Sequence, residues 1–520
     1  MRVVYLKMLM KRIIALLSGC FLTVTVFAQV AANISYTSER GISSLKKRVE
    51  FVIDTVSYDQ FRQFATSLQT STTYIVTATQ NGKQYKIPVR EFPRDIRLHA
   101  TDDIIQNYWF AKNLQSLKTI DEISNLYQTR ADIESDANDY VNALSKAGLV
   151  YDDPYLESYL YSLINRIMPS KRADGFPYEV KVVIVRDDSM NACVFPNGVM
   201  IINTGLLSEL HNEGELYAAL CHEIAHFVAN HTLVNIRTME KAKARAEFLA
   251  ALATAAAAST EIYAAHKGYY YGGTLTAGTA LLSYAIASDV LSRMGVLYTL
   301  EQEEEADKMA IEALQYLGYD GNYAASLFQR MTDTYNREGN WSAYYLSGNH
   351  PSLKSRIEYS GKPINIIDTD FERRISFAVT EAAITKFHNG RFSQALKLVS
   401  QNISNSVGTD DDYLIKALCE LYLFDDDAHN KGVLTSIQKA KELNPANPNI
   451  IRTEIIAALR CDDQNGAYSY LKIYMAKLSE QIANIKNEDS RHLAFLQSEQ
   501  EWARKMLIKV QGLSGVMRLN

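Results

Sequence analysis

Cysteine is scarce in this chain: five occur in 520 residues. Cys20 lies in the first apolar run, and the other four are scattered at positions 193, 221, 419 and 461. Those spacings exclude a disulfide framework, and no CxxC pair offers a thiolate metal site. An excess of charge of one sign is also missing, since the formal net charge is −5. Such a balance leaves no electrostatic footprint for nucleic acid or for an anionic membrane surface. Beyond the first 28 residues no apolar run reads as a membrane span, so any association with a membrane is expected to be peripheral. What remains is ordinary globular composition, 47% hydrophobic and 22% charged. A chain of 520 residues exceeds one core, which implies about two to four domains.

The first residues read as a targeting leader. Lys7, Lys11 and Arg12 precede an apolar run over 13–28, long enough for a signal-peptide core and short for a span. Small residues close it at Val26-Phe27-Ala28, which predicts cleavage before Gln29 and export. Met10 is an alternative start. Leu17-Ser18-Gly19-Cys20 offers a competing reading as a lipobox, with the mature protein anchored through a lipidated Cys20.

The chemistry centres on Cys221-His222-Glu223-Ile224-Ala225-His226-Phe227. On a helix, His222 and His226 lie about 40° apart around the axis and roughly 6 Å apart along it, so both can grip one metal. Glu223, about 100° round from His222, reaches the same space as a general base and not as a ligand. A lone histidine such as His211, His266 or His388 reads more simply as a hydrogen-bonded structural residue. The five-residue HExxH pattern is far more specific.

A catalytic zinc takes three protein ligands. His231 falls five residues after His226, about 140° round a continuous helix, and the glycine of an HExxHxxGxxH site is missing. It reads as a structural residue of the helix end. The better third ligand lies in Glu301-Gln302-Glu303-Glu304-Glu305-Ala306-Asp307, where Glu303 and Asp307 share one helical face. Glu303 would complete a His2Glu site for one zinc ion, with Asp307 behind it. The plainer reading is a solvated acidic run.

HExxH followed by ExxAD resembles the metallopeptidase family that includes the CAAX prenyl endopeptidases and the periplasmic beta-barrel assembly-enhancing protease. Further pieces match in order: Asn191-Ala192-Cys193-Val194-Phe195-Pro196-Asn197-Gly198, then Gly205-Leu206-Leu207, then Asn212 to Leu216, then His350-Pro351-Ser352 with Arg356. The match covers roughly 115–365. Two departures stand out: Asn197 replaces a usual glycine, and Leu300 stands where arginine is common. The resemblance implies a zincin-type domain, zinc-assisted peptide hydrolysis with Glu223 moving the proton, and Asp307 orienting a ligand. His350 either hydrogen-bonds the oxyanion or, as a fourth zinc ligand, keeps the enzyme latent. Protein or peptide substrates follow, among them misassembled outer-membrane proteins, in an envelope quality-control role in the periplasm.

Around this centre the fold reads as α+β and mostly helical. Residues 29–105 form an accessory region with a hairpin, Thr73 to Thr79 and Gln84 to Val89 about an Asn81-Gly82 turn. Residues 106–370 form the peptidase domain, with Tyr155, Tyr159, Leu163 and Ile167 on one helical stripe and strands at 180–185 and 199–202. Val194, Asn197, Gly198 and Met200 read either as a sheet edge that pairs with an extended substrate or as an internal strand. The alanine-rich stretch 241–292, broken by Glu247, Glu261, His266, Lys267 and Asp289, reads as a helical hairpin beside the site and a flexible lid. Residues 371–520 have tetratricopeptide-like spacing, with Gly390, Phe392 and Ala395 in one repeat, 440–445 closing the next, and Asp425-Asp426-Asp427 as an insertion. Such repeats would bind an assembly-machinery partner. The rival readings are an exported scaffold acting through those repeats, a structural zinc site, and an integral prenyl-type endopeptidase.

Overall fold

The computed structural model describes residues 35–38, 45–61, 71–92, 96–98, 104–120, 126–146, 148–168, 180–236, 298–339, 351–424, 426–484 and 490–517. The leader with Cys20, the alanine-rich stretch 241–292 and His350 lie outside the described residues. The chain divides into two compact units, one holding the residues up to Leu126 with 168–179 and 228–230, the other holding the rest. Among the described residues no helix is long and apolar enough to cross a membrane.

The first unit is built on a five-stranded sheet, in the order β4-β3-β2-β1-β5. Its strands are β1 (Ser35–Ser38), β2 (Phe51–Phe61), β3 (Ser71–Gln80), β4 (Lys83–Pro88) and β5 (Ile96–Leu98). The hairpin turns on Asn81 and Gly82, whose φ values of 53° and 75° are the left-handed pair that a two-residue hairpin turn needs. Its register then follows from the turn, with Gln80 opposite Lys83 and Val76 opposite Ile87. Helix α1 (Ile104–Ile120) adds Trp109 and Phe110, both buried.

The second unit contains helix α2 (Leu126–Lys146) from Tyr127 onward, and α3 (Pro154–Ile167). The buried face of α3 is Leu156, Leu160, Leu163, Ile164 and Ile167 with Tyr159, while Tyr155 is 59% exposed. The apolar stripe is therefore centred one residue later than the Tyr155 spacing predicts. A three-stranded sheet follows in the order β6-β8-β7, from β6 (Lys181–Val185), β7 (Ala192–Val194) and β8 (Val199–Asn203). Strand β8 runs parallel to β6 and antiparallel to β7. All five β8 residues are buried, as a strand covered on both faces requires.

This arrangement corrects the single edge strand read over 194–200. Val194 ends the edge strand β7, Asn197 and Gly198 lie in the turn with Pro196, and Met200 is fully buried in the central strand. Gly198 has φ of 81°, and the Asn197 side chain accepts from the Val199 amide at 3.2 Å. The Phe195 amide donates to the Val199 carbonyl and the Gly198 amide to the Phe195 carbonyl, so the three residues Pro196 to Gly198 turn the chain back and 194–200 cannot run straight.

From β8 the chain enters the short helix α4 (Thr204–Glu209). A Cβ on Gly205 would lie 2.3 Å from the Asp188 backbone, so only glycine permits this approach. Three pairs of helices occupy the C-terminal part: α11 (Ser376–His388) with α12 (Phe392–Ser404), α13 (Asp410–Leu423) with α14 (Asp427–Leu443), and α15 (Asn449–Arg460) with α16 (Gln464–Asn484). Consecutive helices pack on one another, and the long α17 (Ser490–Met517) closes the stack against α16. Helix α11 also packs on α4. There the fully buried Lys386 ammonium pairs with Glu338 and lies 3.8 Å from Glu209. Arg391 bridges Asp188 at 2.9 Å and Glu338 at 3.1 Å.

Candidate metal centre

The HExxH motif sits on α5 (Glu213–Val228). Its start is fixed by Asn212, whose side chain accepts from the Glu215 amide at 2.9 Å, while Glu215 accepts from the His211 amide at 2.8 Å. This reciprocal capping satisfies two amides that the first turn leaves open. Glu303 and Asp307 sit on α7 (Leu300–Tyr316), which opens with a Thr299–Gln302 capping box. Leu300, the departure noted in the sequence, is 49% exposed at the first position of this helix and touches none of the chemistry. Arg356 comes from α9 (Leu353–Ser360), capped by Ser352, which accepts from the Ser355 amide.

These helices bring His222, His226 and Glu303 together, with one ligand atom from each within 4.8 Å of the others. The two Nε2 atoms are 3.1 Å apart, and Glu303 carboxylate oxygens lie 3.6 and 3.7 Å from them. Nitrogens held at about 2.0–2.1 Å around a tetrahedral ion would stand about 3.3 Å apart. The donor set therefore fits zinc in chemistry and in spacing. The ring nitrogens on the far side point elsewhere: His222 Nδ1 lies 2.9 Å from Asp307 Oδ1, and His226 Nδ1 lies 2.8 Å from His231 Nδ1. Both Nε2 atoms are thereby left facing one another, an arrangement that a shared cation reconciles.

Burial is severe. Glu303 and Asp307 are each 1% exposed, so their charges require partners. Arg356 supplies one, with Nε at 2.8 Å and Nη2 at 2.6 Å from the two Asp307 oxygens, and the Tyr359 hydroxyl adds a further bond. Burial alone would raise the Asp307 carboxyl, but Arg356 and His222 outweigh it and hold the group below the usual range. For His222 burial opposes the charged ring, yet Asp307 and Glu303 prevail and push it up to about 10. His226 goes the other way, well below the ordinary value, through burial and then the neighbouring His222. Burial pushes Glu223 up to about 8, with Glu303 adding to it. A bound cation reverses that pressure and favours the carboxylate.

Glu223 lines a cleft together with the three metal-facing groups. One wall is the edge strand, at Ala192 and Cys193; another is α8 (Asn322–Glu338), through Leu327, Phe328 and Met331. Arg356 lies 4.0 Å over the Phe328 ring, so the cation that pairs Asp307 also fixes this apolar wall. Two contributors were not anticipated. Tyr298 stacks on His226 with ring centroids 3.6 Å apart and an interplanar angle of 13°. His231, expected to be structural, touches the far nitrogen of His226.

Residues 154–360, which carry this site, match peptidase family M48. The family match is to this segment and not to the chain as a whole. The chain has relatives of low identity. A putative beta-barrel assembly-enhancing protease of Vibrio cholerae is 28% identical over 42% of this chain and 41% of its own length. The beta-barrel assembly-enhancing protease of Escherichia coli K12 is 24% identical over the same shares. The mitochondrial metalloendopeptidase OMA1 of Schizosaccharomyces pombe is 29% identical over 40% of this chain and 54% of its own. The chain thus spans about two fifths of the length of the assembly-enhancing proteases it matches.

Proposed function

We propose that this protein is an exported, zinc-dependent endopeptidase acting on protein substrates in envelope quality control. The observation that carries this reading is the convergence of His222, His226 and Glu303 on one cleft that Glu223 also lines. When bound, zinc supplies Lewis-acid polarisation of the scissile carbonyl and acidifies a water. Glu223 takes the proton of the attacking water and delivers it to the leaving amine. Asp307, gripped by Arg356, holds the His222 ring in place. Ala192 to Val194 form an edge beside the cleft, and an extended peptide laid along it would be read mainly through its backbone. The likeness to beta-barrel assembly-enhancing proteases supports an outer-membrane protein as substrate. His350 remains assigned either to the oxyanion or to latency.

The test is casein digestion with metal analysis, comparing wild type and Glu223→Gln. Loss of about 10²–10⁴-fold in turnover with zinc retained is expected; undiminished digestion by the variant overturns the reading. The stack of three helix pairs favours a second reading, a scaffold for assembly partners. In that case Glu223→Gln would restore function in cells lacking the native protein.

A further inference from the structure

The two metal-facing imidazoles are fastened by different chemistry. His222 turns Nδ1 to a carboxylate, Asp307, the usual companion of a zinc-binding histidine. His226 turns Nδ1 to another imidazole, with 2.8 Å between its Nδ1 and that of His231. Two ring nitrogens at that distance need one proton between them. For His226 to keep an unprotonated Nε2 toward Glu303, the proton must sit on its Nδ1. His231 then accepts at Nδ1 and carries its own proton on Nε2, the side on which Glu305 Oε2 lies 3.4 Å away.

The other side of the His226 ring is also held. Tyr298 stacks on it, and the Tyr298 hydroxyl lies 3.2 Å from Thr232 Oγ1. His231 and Thr232 are the first two residues of α6 (His231–Ile236), and each is 4% exposed. Asn230, with φ of 55°, turns the chain just before them. A left-handed asparagine at this point ends the motif helix and starts a new one, which carries His231 back over His226.

We propose that His231 is a positioning residue for the zinc ligand His226, acting as a neutral imidazole acceptor that fixes the tautomer and rotation of that ring. The Tyr298–Thr232 pair fixes its plane. This inference rests on the metal-site reading above. It requires an acceptor at the place of the His231 Nδ1 and not merely a ring of that size. Asparagine puts an oxygen near that place; leucine fills the space and accepts nothing.

The experiment is zinc titration of the full-length apoprotein against a competing chelator for wild type, His231→Asn and His231→Leu, with thermal melts of each apoprotein. His231→Leu should lose about 10–100-fold in zinc affinity, the range for lost outer-shell partners, and His231→Asn should stay within about threefold of wild type. Wild-type affinity in His231→Leu overturns the proposal, and so does an equal loss in both variants, which would make the role one of packing. A variant that does not fold is bypassed by nitrogen-15 NMR of the zinc-loaded wild type. A His231 proton on Nε2 supports the proposal, and one on Nδ1 overturns it. A wild type that binds no zinc defeats the site reading itself, a result distinct from tight zinc binding that is indifferent to residue 231.

Discussion

Arg356 meets Asp307 with both arms of its guanidinium, at 2.8 and 2.6 Å, in a place where the two residues are 3% and 1% exposed. Removing the arginine takes the two-armed cation from a buried carboxylate and leaves it only the Tyr359 hydroxyl and His222. Arg356→Ala should therefore cost about 3–5 kcal/mol of stability and weaken zinc binding by freeing the His222 ring. Arg356→Lys should not rescue it, since a point ammonium cannot form the two-armed contact. Urea melts and zinc titration of both variants check this, and a lysine variant equal to wild type would refute it.

Zinc binding should expel protons from the apoprotein. Without metal, His222 is pushed up to about 10 and Glu223 to about 8, so both carry a proton at pH 7. Zinc needs the deprotonated His222 Nε2, so apparent affinity should rise by about tenfold per pH unit as pH climbs toward the His222 value. Calorimetry at pH 7 in two buffers of different ionisation enthalpy measures the release. One proton or more per zinc is expected, and none would show that His222 is already neutral.

The cleft wall should select apolar side chains. Leu206, Leu327, Phe328 and Met331 line it, and the one arginine there is committed to Asp307. A charged substrate side chain against this wall loses its hydration and gains no partner. Met190 and Met331 are pliable enough to take several apolar shapes. Met331→Glu should shift the ratio of kcat/KM between leucine-bearing and lysine-bearing peptides by roughly 10–100-fold toward lysine. An unchanged ratio in an active variant would remove Met331 from substrate contact.

The convergence of His222, His226 and Glu303 was legible because helix geometry ties residue spacing to direction, and HExxH and ExxAD each fit within a few turns. His231, read as structural and not a ligand, stays outside the metal-facing cluster, but its contact with His226 could not be read from spacing. An offset of five residues points away on a continuous helix, but the chain turns at Asn230 and the helix does not continue. Tyr298 precedes α7 and follows no period, so only the packed structure reveals its stack on His226. The edge strand β7 has three residues, too few to show alternation, and the buried run of β8 beside it drew the reading across the turn. The Asn81-Gly82 hairpin was readable because its turn demands two left-handed residues.

The buried ammonium of Lys386 has a consequence for how this protein can be taken apart. Its first helix pair shares a core with α4 and supplies the cations that neutralise Glu209, Glu338 and Asp188. Cutting the chain at residue 370 would strip Glu338 and Asp188 of these cations, leave Glu209 with Arg337 alone, and bare an apolar face on the half that keeps the metal-facing cluster. The segment that carries the metal-facing cluster and the helix stack should therefore fold as one indivisible casting, and neither should survive exchange between chains as a cassette.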